Sequence, residues 1–372
     1  MDLSRSRFSE WLAQPLLDTD LKEELLEMAD SPQKIEDAFG CELQFGTGGL
    51  RGILGAGTNR MNIHVVRRAA QATADVLNAA GLPRRAAIGY DSRIGSERFA
   101  RETACVLAAN GIETYLYPRL EPVPALSFAV RTLSCGVGIC ITASHNPAQY
   151  NGFKVYGPDG CQLTPDRAAQ IAEKLRLRSY FDKIRTESFA SLLAAGRIRW
   201  IPDAVLDAFV DAVLALRMGS GALSDLSVVY TPLHGSGLEC VEKLLGRLGV
   251  GRLTLVEAQK DPDGHFPTCP YPNPEIMSLT SSNILALFPL HADICALLGI
   301  ICTCHFSNPP YFFLLATVRF GPLQVRALVL VRWPRQGRFL RWRVPRKDWI
   351  STRRLMSRAT LRRRSPSTMM LA

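Results

Sequence analysis

Short apolar runs alternate with helical segments along the first half of this chain, and this alternation limits the folds it can adopt. Residues 86–90, 112–117 and 136–141 are apolar runs of strand length. The segments between them, residues 96–110 and 124–133, carry apolar residues at helical spacing. Strand–helix–strand units of this length form right-handed crossovers in a parallel sheet. The sequence therefore predicts an α/β fold with mixed, mostly parallel sheets and flanking helices.

The same alternation begins again further along the chain. Residues 203–217 and 237–249 have helical periodicity, and residues 226–233 and 252–259 have the pattern of strands. These four segments predict the start of a second α/β domain. Two helical patterns precede the strand at 86–90, one over residues 6–29 with an interruption near Pro15, and one over residues 64–80.

The basic residues are concentrated in the C-terminal part of the chain. The 372 residues include 44 Lys and Arg against 34 Asp and Glu, a formal charge of +10. Residues 277–372 hold 15 of these basic residues and two of the acidic ones, so the rest of the chain is slightly acidic. A basic excess confined to one segment does not predict a specific nucleic-acid surface on the folded part. Prolines interrupt the apolar run at 284–318, which is therefore not expected to span a membrane.

Cysteine usage indicates the compartment. The ten cysteines have no paired spacing, and most lie in apolar runs, as expected of buried thiols in a reducing cytosol. Cys302, Cys304 and His305 lie close together, but one residue between the cysteines is not a zinc-site spacing. The N-terminal residues contain no apolar signal-peptide core, so the sequence predicts a cytoplasmic protein.

Ser144 stands in the segment ITASHNP, directly after the apolar run that ends at Ile141. A serine hydroxyl is a weak nucleophile without an assisting base, and the G-x-S-x-G motif of hydrolases is absent here. His145 is the next residue and is expected to point away from the serine oxygen, which argues against an acyl-transfer triad. The alternative role is that of a phosphate carrier, since a phosphoserine has a charge near −2 and three acceptor oxygens.

Other motifs contain groups that could bind phosphate. They are FGTGGLRG at 45–52, GYDSR at 89–93, an Asn-Gly pair that predicts a tight turn before a lysine, and TPLHGSG at 231–237. The residues they put forward are Thr47, Gly48, Arg51, Arg93, Asn151, Lys154 and His234. Taken singly, each motif is equally compatible with a plain turn, a surface ion pair or a structural histidine.

Taken together, the motifs T-A-S-H-N-P, N-G-x-K, F-G-T-x-G-L-R-G, G-Y-D-x-R and T-P-L-H-G resemble those of the α-D-phosphohexomutases. The likeness is to the phosphoglucomutase/phosphomannomutase branch with an N-terminal helical extension, and it covers about residues 36–276. It implies four segments: a helical extension (1–35), domain I with the phosphoserine loop (36–205), an incomplete domain II (206–276) and a non-family basic tail expected to be disordered (277–372).

The resemblance also implies an activity and its cofactors. Members of this family interconvert hexose 1-phosphate and 6-phosphate through a phosphoserine, here Ser144, and a bisphosphate intermediate. It implies Mg²⁺ bound to the serine phosphate, a hexose 1,6-bisphosphate as primer and sugar phosphates as ligands, with glucose, mannose and pentose phosphates all left open. The implied catalytic residues are Ser144, Arg51, Lys154 and His145, and the implied substrate- and phosphate-binding residues are Thr47, Gly48, Arg93, Asn146, Asn151 and His234.

The sequence departs from the family pattern after residue 276. It contains no D-x-D-x-D-R metal loop, no G-E-x-S-G sugar loop and no R-x-S-G-T-E phosphate loop. DPDGHFP at 261–267 lacks the third aspartate and the arginine, so we do not expect it to bind Mg²⁺ as the family loop does. The Arg-rich composition beyond residue 276 is typical of translation in another frame or of unspliced sequence. These departures predict a chain inactive as a mutase, or alternatively a non-catalytic phosphosugar-binding or partner-binding remnant.

Overall fold

The structure is a computed structural model. It describes residues 2–15, 17–182, 184–217, 222–269 and 272, together with the strand segments 294–297, 311–320 and 323–332. Two features noted in the sequence lie outside the described residues: the group Cys302, Cys304 and His305, and the Arg-rich end of the chain.

The first α/β unit contains eight helices and six strands among the described residues. The helices are α1 (Leu3–Leu12), α2 (Thr19–Met28), α3 (Pro32–Phe39), α4 (Ile63–Ala79), α5 (Ser96–Ala109), α6 (Val123–Thr132), α7 (Pro165–Arg176) and α8 (Phe189–Ala194). The strands are β1 (Leu50–Ile53), β2 (Arg85–Tyr90), β3 (Glu113–Leu116), β4 (Val137–Ile141), β5 (Tyr150–Tyr156) and β6 (Ile198–Trp200). Each helix and strand predicted in this part of the sequence is present.

The first sheet has the strand order β1-β5-β4-β2-β3-β6. Strands β4, β2, β3 and β6 run parallel, and β5 is antiparallel to both β4 and β1. Helices cover this sheet, and the buried residues of this unit include Cys105 of α5, Cys135 and Cys140 of β4. The predicted α/β class with a mixed, mostly parallel sheet is confirmed. Because β2, β3 and β4 are parallel, their carboxyl ends share one edge, where the loops with functional residues lie.

The Asn-Gly pair predicted to form a tight turn lies inside strand β5 instead. Gly152 pairs with Arg51 on one side, and its carbonyl accepts a hydrogen bond from Thr142 N (3.1 Å) on the other. A Cβ at Gly152 would lie 2.7 Å from the carbonyl oxygens of both Leu50 and Thr142, so only glycine allows this close approach. The antiparallel pairing of β4 with β5, rather than a tight turn, is what brings Lys154 back along the preceding strand.

The second unit builds a sheet of five described strands. Its elements are α9 (Asp203–Leu214), β7 (Ser227–Thr231), α10 (Leu238–Arg247), β8 (Arg252–Leu255), α11 (Glu257–Lys260), β9 (Ile294–Leu297), β10 (Tyr311–Phe320) and β11 (Leu323–Arg332). The strand order is β11-β10-β9-β7-β8, with β7 parallel to β8 and β9, and with β9, β10 and β11 antiparallel. The predicted strand over 252–259 ends at Leu255 and continues as a helical turn.

Strands β9, β10 and β11 come from the segment expected to be disordered. Their backbones pair with one another and with β7, so the expectation that the sheet stops after two strands is wrong. Strands satisfy their backbone groups across the sheet, and basic composition alone does not prevent that pairing. The other residues of 277–372 lie outside the described part. No helix in the described ranges has the length and apolar character needed to cross a bilayer.

The N-terminal helices pack against the first domain through one aromatic cluster. Trp11 of α1 is 1% exposed, and its ring centroid lies 5.7 Å from those of Phe39 and His64 and 5.2 Å from that of Phe181. Phe181 follows α7 and His64 belongs to α4, so the cluster joins helices far apart in sequence. The predicted extension is therefore part of the domain core.

We expect Trp11→Ala to lower the free energy of unfolding by about 3–5 kcal/mol, because it removes a buried aromatic side chain and leaves a cavity. Leu26→Ala on α2 is the matched control: Leu26 is 57% exposed, so its loss should cost no more than about 0.5 kcal/mol. Urea unfolding followed by circular dichroism measures both variants. Equal, small losses would show that the extension is not part of the core.

Candidate active site

Ser144 lies in the loop that joins β4 to β5. Its backbone is left-handed (φ +62°), which is uncommon for a residue other than glycine and is found most often at functional sites. Its backbone N–H donates to Thr142 Oγ1 (2.9 Å), which closes a short turn at the end of β4. The residue is 2% exposed. Strand β4 therefore delivers one serine in a fixed and strained conformation.

His145 contacts the serine oxygen, contrary to the prediction that it points away. Its Nδ1 lies 3.1 Å from Ser144 Oγ. Neighbouring side chains diverge in extended backbone, but the left-handed conformation at Ser144 bends the chain and lets the two meet. A neutral imidazole protonated at Nε2 can accept the serine proton at Nδ1. The pair thus places a hydroxyl within hydrogen-bond distance of a ring nitrogen.

Arg93 holds the loop from Ser144 to Tyr150. Its guanidinium donates to four backbone carbonyls: Nη1 to Pro147 (2.9 Å) and Tyr150 (3.1 Å), and Nη2 to Ser144 (2.8 Å) and Asn146 (2.6 Å). Its Nε lies 3.4 Å from Asp91 Oδ2, and the side chain is fully buried. The planar fork of arginine suits this several-point grip, which lysine cannot reproduce.

Arg93 and Asn151 were predicted to bind substrate, but the structure commits their polar groups to the loop scaffold. The nitrogens of Arg93 face carbonyls and Asp91. Asn151 Nδ2 donates to Ile94 O (2.9 Å) and Ser96 Oγ (3.0 Å), and its Oδ1 accepts from Gly152 N (2.7 Å). These acceptors could not be read from the sequence, which shows which groups can donate but not which acceptors the fold places beside them. That the two residues also bind substrate stays a prediction.

Ser96, the first residue of α5, belongs to this scaffold too. The N-cap residue of α5 is Gly95, which makes no side-chain cap hydrogen bond. The Ser96 hydroxyl instead donates to Asp91 Oδ1 (2.8 Å), which also accepts from Arg93 N (3.0 Å). Asp91, Arg93 and Ser96 therefore fix one another and the serine loop.

Arg51 and Lys154 lie on one face of the sheet beside this loop. Arg51 pairs with Gly152 across β1 and β5, and Lys154 is two residues further along β5, so both side chains are on the same face. The exposed Arg51 donates through Nη1 to Asn146 Oδ1 (3.0 Å), which ties it to the serine loop. Lys154 is opposite Cys140 of β4 and is 7% exposed. Arg51 thus contacts the loop directly, and Lys154 lies on the same face of the sheet, opposite β4.

Thr47 and Gly48 form the tip of a tight turn before β1. The residues that flank them, Gly46 and Gly49, exchange backbone hydrogen bonds of 3.1 and 2.9 Å. The two tip residues are half-buried. The predicted phosphate-binding loop is therefore a short, well-defined hairpin turn that leads directly into the strand carrying Arg51.

His234, predicted to bind phosphate, braces a loop of the second unit. Its Nδ1 lies 3.0 Å from Asp261 O and its Nε2 lies 2.9 Å from Thr268 Oγ1, so both ring nitrogens are engaged. The ring is buried. The turn that carries it resembles the serine turn, because Thr231 Oγ1 accepts from Leu233 N (3.0 Å) and both Leu233 and His234 have left-handed backbones.

The described side chains do not form a site for the Mg²⁺ that the resemblance implies. No group of three His, Cys, Asp or Glu residues within the described ranges could hold a metal ion. Asp91 is paired with Arg93 and Ser96, and Asp263 Oδ1 accepts from His265 N (2.8 Å) within its own turn. A metal ion bound by a phosphorylated Ser144 would find no carboxylate cluster here.

Glu121 is a residue of this edge that the sequence analysis missed. It follows β3, is 2% exposed, and neither carboxylate oxygen has a hydrogen-bond partner within the described part of the chain. Burial, reinforced by the nearby Glu239, raises the pKa of Glu121 to about 8, although Arg119 Nε lies 3.5 Å away. The only signal in the sequence was a single acidic residue between a strand and a proline.

Two family models match this chain. Residues 42–180 match the family model "Phosphoglucomutase/phosphomannomutase, alpha/beta/alpha domain I", and residues 207–299 match the model for domain II of the same family. The domain II match continues past residue 276 and includes strand β9.

Curated relatives are phosphoglucomutases of staphylococci. The Staphylococcus saprophyticus protein is 36% identical over 233 residues, which are 63% of this chain and 42% of the relative. A Staphylococcus aureus protein is 38% identical over 258 residues, 69% of this chain and 46% of the relative. This chain therefore spans less than half the length of these relatives. Among solved structures, a phosphoglucomutase/phosphomannomutase family protein from Burkholderia thailandensis shares the fold, with a TM-score of 0.54 at 20% identity over 74% of this chain and 54% of that one.

We expect Arg93→Lys to lower the free energy of unfolding by about 3–5 kcal/mol, because it leaves buried carbonyls and Asp91 without their partner. Arg85→Lys is the matched control: Arg85 pairs with Glu113 at the surface, and such pairs contribute about 0.2–1 kcal/mol. Denaturant unfolding of both variants is the measurement. A loss at Arg93 no larger than that at Arg85 would contradict the role of Arg93 as the loop's main support.

We expect the buried Glu121 to make stability decrease as pH rises. The folded pKa of about 8 exceeds the ordinary 4.5, so the folded state binds the proton more tightly and the free energy of unfolding decreases between about pH 4.5 and pH 8. Glu121→Gln should remove roughly 5 kcal/mol of that decrease, at about 1.4 kcal/mol per pKa unit. Unfolding curves across this pH range test it, with the exposed Glu10→Gln as control; identical slopes in wild type and Glu121→Gln would refute it.

Proposed function

This chain belongs to the phosphoglucomutase/phosphomannomutase family, and we propose that its first domain supplies the phosphoryl carrier of a phosphohexomutase. Ser144 accepts a phosphoryl group from a hexose 1,6-bisphosphate and returns it to a hexose monophosphate, so that hexose 1-phosphate and 6-phosphate interconvert. The observation that supports this most directly is the 3.1 Å contact between Ser144 Oγ and His145 Nδ1. It provides an oxygen nucleophile with a proton acceptor at the end of a parallel strand.

The proposed transfer step moves one phosphoryl group to Ser144 and one proton to His145. Ser144 Oγ attacks the phosphorus atom, the Oγ–P bond forms and the bond from phosphorus to the sugar oxygen breaks. His145 Nδ1 takes the serine proton, and the departing sugar oxygen gains a proton from the site or from water. Arg51 and Lys154 offset the charge on the phosphoryl oxygens, the main demand of phosphoryl transfer. Thr47, Gly48 and Asn146 are the loop residues proposed to contact the phosphosugar.

The complete mutase cycle needs more than the described residues offer. The sequence contains none of the three later loops that the family resemblance calls for. Without a second phosphate anchor, a hexose bisphosphate cannot be held in its two alternative orientations, and positioning accounts for most of the catalysis in such reactions. We therefore propose that this chain by itself carries out the carrier step without rapid turnover. The complete mutase cycle that we propose for the family also uses Mg²⁺ and a hexose bisphosphate primer.

A second candidate function is a non-catalytic phosphosugar-binding or partner-binding role. The burial of Ser144, at 2% exposed, favours it, since a hydroxyl closed off by its own loop is difficult for a phosphoryl donor to reach. The two candidates differ in one observable, which is whether the serine acquires phosphate.

We expect full-length protein, treated first with phosphatase and then with glucose 1,6-bisphosphate and Mg²⁺, to gain one phosphoryl group on Ser144. Intact-mass and peptide mass spectrometry measure this. Ser144→Ala should gain none. Ser134→Ala is the matched control, since Ser134 is an exposed serine that also has a left-handed backbone, and it should behave as wild type.

Saturable binding of the phosphosugar without phosphorylation would favour the non-catalytic role instead. A coupled mutase assay tests the turnover claim on the same preparations. Conversion at about 1 per second or faster that disappears in Ser144→Ala would show that the chain is a complete catalyst.

A further inference from the structure

The DPDGHFP segment packs against the residues that hold the loop of Ser144 in place. Phe266 is 0% exposed, and its ring centroid lies 5.1 Å from Cζ of Arg93. A Cβ placed on Gly264 would lie 2.6 Å from Ile94 N and 2.8 Å from Ser92 O. Two parts of the second unit, a ring and a backbone, therefore meet the 92–94 segment of the first.

The second unit holds this segment in a defined position. His234 contacts the first residue of the segment through Asp261 O and the residue directly after it through Thr268 Oγ1. The backbone N–H of Asp263 donates to His234 O (3.1 Å). Phe266 has a left-handed backbone (φ +50°), a conformation that persists only where surrounding contacts enforce it. The ring is thus presented to Arg93 by a braced loop.

We propose that Phe266 is a positioning residue for Ser144. The ring covers the guanidinium that binds four carbonyls of the serine loop, and it fixes the plane of that guanidinium. An arginine over an aromatic ring in a desolvated site gains a favourable electrostatic contact. The second unit thereby sets the geometry of a loop that belongs entirely to the first unit.

This role follows from how few contacts separate the two residues. Phe266 touches Arg93, and Arg93 donates directly to the carbonyl of Ser144 (2.8 Å). Without the ring, water can reach the guanidinium and compete for its hydrogen bonds, so the loop should open more often. The claim about loop order stands on these contacts alone, whereas its effect on phosphorylation also rests on the proposed function.

The test uses two variants of the full chain. One changes a side chain and the other changes the backbone spacing, and both disturb the packing of DPDGHFP against residues 92–94. Phe266→Leu removes the ring while it keeps an apolar side chain, and Gly264→Ala pushes the backbones apart. Phe189→Leu is the matched control. Phe189, on helix α8, also lies against an arginine: its ring centroid is 4.8 Å from Cζ of Arg101. Hydrogen–deuterium exchange of residues 142–150 reports loop opening, and the rate of Ser144 phosphorylation by glucose 1,6-bisphosphate reports its consequence.

We expect exchange in residues 142–150 to quicken about tenfold in both variants, while strand β2 keeps its protection and Phe189→Leu behaves as wild type. Phosphorylation should slow in the same two variants. Quickened exchange in a protein that never acquires phosphate would support the positioning role and reject only the proposed function. Unchanged exchange in residues 142–150 in the two variants, or a rise spread evenly over the first sheet, would overturn the proposal.

Discussion

The buried guanidinium of Arg93 is the interaction on which the candidate site depends. A fully desolvated charge is tolerable only where a counter-charge and hydrogen-bond acceptors surround it, and here Asp91 and four backbone carbonyls do so. Three of those carbonyls belong to the loop between β4 and β5, and the fourth is that of Tyr150, the first residue of β5. The cation therefore replaces the backbone pairing that a strand or helix would otherwise provide, and it determines where the serine stands.

Sheet topology explains why the partners of this arginine are available. Parallel strands β2 and β4 are neighbours, so the loop after one lies beside the loop after the other. The hairpin from β4 to β5 returns the chain along the same edge, and the absence of a side chain at Gly152 lets β1 approach from the far side. Four segments distant in sequence thus converge on one edge, with the cation of Arg93 at the centre and Arg51 at the rim.

Sequence patterns predicted much of this arrangement. The periodicity located α4, α5, α6, α9 and α10 and the strands β2, β3, β4, β7 and β8, but it gave no indication of β1, β5, β6, α7 or α8. The strand before Ser144 placed the serine at a carboxyl edge. The Asn-Gly pair suggested a turn because those residues favour turns locally, yet pairing on both sides of β5 outweighs that preference. Arg93, Asn151 and His234 were expected to bind ligands because a sequence shows donors without their acceptors. Glu121 gave almost no signal, since its burial depends on helix α10 of the second unit.

Two turns in which a threonine hydroxyl accepts a backbone N–H have similar local geometry, although they belong to different sheets. Thr142 follows β4, which lies between β5 and β2, and Thr231 is the last residue of β7, which lies between β9 and β8. One turn ends in a serine next to a histidine, and the other ends in a leucine next to a histidine that ties down a loop. In both turns a threonine hydroxyl accepts the backbone N–H of the left-handed residue two positions later. The side chain at that left-handed position, rather than the preceding strand, therefore distinguishes the loop with a nucleophilic hydroxyl from the loop that is purely structural.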